Sequence, residues 1–207
     1  MTVRELTGGV RDELGDASTV LLLAPSLSSG GGDVCADLLV PDEGADECAL
    51  WVSYTKSPDE QVRRFRSRAN GEPRQVGVIN VDDSRSAATA AQSGASPDGP
   101  TETVTSPNDL TGLGIRITEY LREWNGVDGR TVVCFDSITA MLQYVDLQTA
   151  FEFLHVLTGR LASVGAFAHF HMDPTAHDDQ TVQTLLTLFD AVVEVDADGG
   201  APTVRKR

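Results

Sequence analysis

The stretch Val20-Leu-Leu-Leu-Ala24-Pro25-Ser-Leu-Ser-Ser-Gly30-Gly-Gly32-Asp33-Val-Cys-Ala-Asp-Leu-Leu39 sets the frame for the whole chain. Consecutive aliphatic side chains ending at a proline describe a strand covered on both faces. The Ser/Gly run behind it reads as a loop. Asp33, followed by apolar residues at helical spacing, reads as the capped start of a helix. Strand, glycine-rich loop and helix in this order make a phosphate cradle, in which backbone N–H groups and a helix N-terminus face an anion. Its residues would be Ser28, Ser29, Gly30, Gly31, Gly32 and Asp33. A phosphate-binding loop also needs Gly-Lys-Ser/Thr at the junction with the helix. Here Gly31-Gly32-Asp33 or Gly32-Asp33-Val34 stands in that place. No lysine neutralises the phosphates, no hydroxyl holds Mg²⁺, and an aspartate in the first turn repels a triphosphate. The cradle has the shape without the charge.

Working outward, further apolar runs lie at 49–54, 76–81, 131–135, 165–172 and 191–195. Helix candidates fall between them at 33–40, 58–69, 107–124, 139–163 with a break near 145–146, and 180–189. Ser57-Pro58-Asp59-Glu60 combines an N-cap, a proline at the first helical position and a capping-box Glu. Ser106-Pro107-Asn108-Asp109 opens the next helix in the same way. Strands alternating with helices predict one doubly wound α/β domain over 1–207, with a parallel sheet and a core at about 19–195. Between 82 and 105 there is no Leu, Ile or aromatic residue, which predicts a flexible insertion. The tail at 196–207 is compatible with a terminal hairpin strand and with a frayed end.

Ligands of such sheets bind beyond the carboxyl ends of the strands. Thr131-Val-Val-Cys-Phe-Asp136-Ser137 places a carboxylate after four apolar residues, where an aspartate can orient Mg²⁺. Ser137 or Thr139 can cap the next helix. His169-Phe-His171-Met-Asp173 puts both imidazoles on one face, with Asp173 following and His177 close by. These are candidate metal ligands, although a satisfied core histidine is the commoner outcome, and no metal is expected. Cys35, Cys48 and Cys134 show no CxxC spacing, so neither a disulfide framework nor a zinc ribbon follows. Cys134 reads as a small buried hydrophobe.

Thirty-one acidic residues against sixteen basic ones give a net charge of −15. That repels nucleic-acid backbones and anionic lipid, and no apolar run is long enough to span a bilayer. A cytoplasmic protein with neither kind of partner is expected. The basic residues are 14 Arg and 2 Lys, and Asp outnumbers Glu 20 to 11. Spread over the whole chain, this composition predicts a protein working in multimolar salt, where most carboxylates serve solvation.

Val20-Leu-Leu-Leu-Ala-Pro, Leu50-Trp-Val-Ser-Tyr-Thr-Lys-Ser-Pro-Asp-Glu-Gln, Thr131-Val-Val-Cys-Phe-Asp-Ser-Ile-Thr-Ala-Met, Gly165-Ala-Phe-Ala-His-Phe-His and Leu188-Phe-Asp-Ala-Val-Val-Glu-Val follow one another in a recognisable order. From about residue 19 to 195 the chain resembles the KaiC/RecA-like branch of P-loop ATPases, especially the short KaiC-like proteins of haloarchaea. The resemblance implies a parallel-sheet RecA-like P-loop NTPase fold. It also implies roles that this chain lacks. The Walker A Lys and Thr are missing, the catalytic Glu pair is replaced near Tyr54-Thr55-Lys56, and only the Walker B Asp136 remains. The expectation is a degenerate pseudo-ATPase with no bound cofactor, binding a protein partner in a regulatory or signalling role as a monomer or small homo-oligomer. A switch binding ATP or ADP without efficient hydrolysis is the alternative, and a His/Asp metal enzyme a third. The apolar helix faces at 138–144 and 151–157 are the expected contact surfaces unless they pack on their own sheet.

Overall fold

The computed structural model describes residues 10–26, 29–39, 47–55, 73–82, 101–127, 129–197 and 200–207. The strands are β1 Thr19–Leu23, β2 Cys48–Ser53, β3 Gln75–Val81, β4 Thr101–Val104, β5 Thr131–Asp136, β6 Phe167–Met172, β7 Ala191–Glu194 and β8 Thr203–Lys206. The helices are α1 Ser29–Leu39, α2 Leu110–Glu123, α3 Ile138–Met141, α4 Leu147–Ser163 and α5 Asp179–Leu186, with a 3-10 turn at Pro174–Ala176. The eight strands form one sheet in the order β4-β3-β2-β5-β6-β1-β7-β8. Every pairing is parallel except β7 with β8. This is the parallel α/β sheet that the alternation of elements predicts, and it agrees with the RecA-like fold that the resemblance implies.

Burial explains why the inner strands are continuous apolar runs. β1 and β2 are buried along their whole length. One face of the sheet, carrying Leu21, Leu50, Ile79, Phe135 and Phe170, packs against α2, α4 and α5. The other, carrying Val20, Leu22, Trp51, Cys134 and Phe167, packs against α1 and a helical turn at 10–14. Four helices begin at a side chain that accepts a backbone N–H: Asp109 for α2, Ser137 for α3, Asp146 for α4 and Asp178 for α5. Part of the aspartate excess is therefore capping chemistry.

Three sequence expectations are corrected. Gly30, Gly31 and Gly32 lie in the first turn of α1 rather than in a loop ahead of it. α2 starts at Leu110, because Asp109 accepts from Gly112 while Ser106 bonds to Asn108 in the preceding turn. Residues 101–104 of the expected insertion form the edge strand β4, in which only Val104 is buried. At the chain end the hairpin reading holds, since β8 pairs antiparallel with β7. Residues 83–100 and the helix candidate at 58–69 lie outside the described residues. The break near 145–146 is present, with Asp146 capping α4.

Candidate functional site

Three strand ends and one helix meet at the carboxyl edge of the sheet. β1 runs into Ala24-Pro25-Ser26, β5 ends at Asp136 and β6 ends at Met172, while α1 carries Gly31 and Gly32 up to the same point. Between them lies a cleft of about 280 Å³. Gly31, Gly32, Thr55, Asp136, His171 and Asp173 are among its lining residues, and among the described residues no Lys or Arg lines it. Asp136 is buried, and its bond to Ser137 is a cis peptide. Ser137 Oγ then accepts from the Ala140 N–H, the capping role foreseen for it.

Asp173 fixes the rim. Its carboxylate accepts from the Ser26 N–H at 2.7 Å and from both the N–H and the hydroxyl of Thr175. Partial burial raises its pKa, but the hydrogen bonds from Thr175 and Ser26 outweigh this and hold it down to about 2. Its own N–H donates to Thr139 Oγ1, which also meets His177 Nε2 at 3.1 Å. Asp173 and His177 thus tie β1, α3 and the 3-10 turn together at the cleft. Neither belongs to the side-chain cluster that contains His169 and His171.

Beneath the cleft floor the two histidines face two thiols. Cys134 of β5 is in register with His169 of β6, and Cys35 lies one turn along α1 from Gly31. Cys35 Sγ is 3.6 Å from Cys134 Sγ and 3.3 Å from His169 Nε2, and Cys134 Sγ is 3.6 Å from His171 Nε2. Cys134 and His169 are fully buried, whereas Cys35 and His171 are half-buried. The bond with Cys134, helped by both histidines, holds the Cys35 thiol well below its usual pKa against the opposing effect of burial. Burial pushes His169 down and keeps its ring neutral. Its Nδ1 is buried with no hydrogen-bond partner among the described residues.

Of the six cradle residues expected from sequence, Gly31 and Gly32 line the cleft and Gly30 and Asp33 lie beside them in α1. Ser28 and the side chain of Ser29 lie outside the described residues, as does Lys56. Cys134 is buried as expected, but in a polar cluster rather than as a plain hydrophobe. Cys35 and Cys134 were not legible as site residues, because the four members of the cluster come from three separate elements and no linear spacing links them.

Residues 17–195 match the family of unknown function DUF7504. The chain belongs to that family. No curated protein matches it. Among solved structures, it is similar to the KaiC-like protein PH0186 of the hyperthermophilic archaeon Pyrococcus horikoshii OT3. That likeness has a TM-score of 0.57 at 13% identity, over 91% of this chain and 78% of that one. PH0250 of the same organism gives 0.56 at 8% identity, over 92% and 86% of the two chains. The flagellar accessory protein FlaH of Methanocaldococcus jannaschii gives 0.51 at 10% identity, over 86% and 71%. At such identities the likeness is one of fold. This DUF7504 chain shares its fold with those KaiC-like and FlaH structures.

Proposed function

We propose that this DUF7504 chain is a non-catalytic RecA/KaiC-like domain that acts by binding a protein partner in a regulatory setting. The observation that carries this reading is the cleft. Where a relative of this fold would hold a nucleoside triphosphate, the described lining offers two aspartates and no lysine or arginine. Phosphoryl transfer depends on cations and on a group that orients water, and one electrostatic donor alone contributes on the order of 3 kcal/mol. With the loop lysine and the glutamate pair both replaced, little transition-state stabilisation is left.

The partner half of the reading is supported on the opposite face. The helix faces at 138–144 and 151–157 mostly pack on the sheet, since Ile138, Met141, Leu154 and Leu157 are buried. What stays outside is a groove of about 560 Å³ between α2 and α4, where Ile115 and Val156 are 53% and 68% exposed. Charged Glu119, Arg122, Glu152 and Arg160 rim it, the apolar centre and polar edge of a recognition patch. Among the described residues, no helix is long and apolar enough to cross a membrane.

The test is calorimetric titration with ATP·Mg²⁺ in molar KCl, beside steady-state phosphate release from the wild type and Asp136→Asn. Neither binding nor turnover is expected. Turnover abolished by Asp136→Asn would overturn the reading. Micromolar binding without turnover would replace it with a nucleotide-binding switch.

A further inference from the structure

We infer that Cys35, Cys134, His169 and His171 form a closed tetrahedral site for one zinc(II) ion, linking α1 to β5 and β6. The four potential ligand atoms all lie within 4.8 Å of one another. A tetrahedral zinc bonded at about 2.3 Å to sulfur and 2.0–2.1 Å to nitrogen sets its two sulfurs about 3.8 Å apart and each sulfur–nitrogen pair about 3.6 Å apart. The observed separations are 3.6 Å between the sulfurs, and 3.6 and 3.3 Å from sulfur to nitrogen. A disulfide between the same cysteines would need about 2.05 Å.

Charge and hydrogen bonding favour the same occupant. Two thiols and two imidazole nitrogens converge in a cluster bordered by Phe167 and the apolar residues of α1. Without an ion, the contacts among them are weak sulfur hydrogen bonds. Zinc(II) takes both cysteines as thiolates, any proton they still hold passing to solvent, and both imidazoles coordinate as neutral rings. Two thiolates then cancel the charge of the ion, so the complex placed in the protein interior is neutral overall. Two sulfurs with two imidazoles suit tetrahedral zinc, whereas magnesium and calcium take oxygen ligands. Four protein ligands leave no open position for water, so the site is structural rather than catalytic. His171 also lines the cleft, which gives the ion its way in.

The full-length chain, purified reduced and metal-free in molar KCl, is titrated with cobalt(II) and then zinc(II). One cobalt per chain should bind with the intense visible bands of a tetrahedral ion and near-ultraviolet thiolate charge transfer, and zinc should abolish both. At a hundredfold excess of zinc over Kd the thermal midpoint should rise by about 5–10 °C. Cys35→Ser and His171→Ala should each lose the spectrum. Cys48→Ser should keep it, since Cys48 packs on the other face of the sheet. A weak octahedral cobalt spectrum from the wild type would overturn the site even if the variants fail to fold. So would a Cys35–Cys134 disulfide in the isolated protein, or a tetrahedral spectrum that survives in both ligand variants.

Discussion

Asp190 is exposed just ahead of β7, yet one of its carboxylate oxygens accepts the N–H and hydroxyl of both Ser18 and Thr19. These bonds join the start of β1 to its neighbour. Partial desolvation raises its pKa, but the hydrogen bonds from Ser18 and Thr19 win and the net shift is downward. A carboxyl depressed on folding contributes stability above its unfolded pKa of about 3.9, and that contribution is lost as pH falls through the folded value. Asp190→Asn should therefore cost about 1 kcal/mol at neutral pH after allowance for solvent screening, or about 2–4 °C in thermal midpoint. The gap to wild type should close below about pH 4; a constant gap from neutral pH to pH 3 would show that charge plays no part. Residues of this kind are hard to read from sequence. Asp136 was legible because it ends an apolar run, but the Ser26 bond to Asp173 and the bonds to Asp190 form only when distant segments meet.

Among the elements, α2 docks on β3 through a missing side chain. A Cβ on Gly77 would lie 2.5 Å from the Tyr120 ring. That ring is buried and stands edge-on to Trp124 at 5.2 Å. Gly77→Ala should cost about 1–3 kcal/mol by overpacking. In a Tyr120→Leu background most of that cost should vanish, a coupling that chemical denaturation of the four cycle members would measure. An equal cost in both backgrounds would place the strain elsewhere. Elements with two buried faces, such as β1, β2 and β5, were legible from apolar runs alone. β4 was not, since Thr101-Glu-Thr-Val104 is an edge strand with one buried side chain. The start of α1 escaped for another reason. Three glycines oppose helix formation locally, and the packing of Val34, Leu38 and Leu39 on the sheet overrides them.

At the scale of the molecule, −15 net charge on 207 residues opposes compaction wherever it is not screened. The thermal midpoint should rise between roughly 0.1 and 3 M KCl, because the Debye length falls from about 10 Å to below 3 Å over that range. A midpoint indifferent to salt, followed by circular dichroism, would refute the halophilic reading of the composition. The parallel sheet was predictable from the alternation of elements, whereas the order of its strands was not. That order has a consequence for the chain as it is made. β1 is among the most apolar strands, and its partners are β6 and β7, with Thr19 opposite Ala168 and Leu23 opposite Glu194. A ribosome adding about 5–20 residues per second emits Val20-Leu-Leu-Leu23 roughly 7–30 s before either neighbour exists. β2, β3 and β5 can zip together meanwhile, so β1, though translated before them, is among the last seated. During that interval its apolar side chains stay exposed to solvent, where they can aggregate.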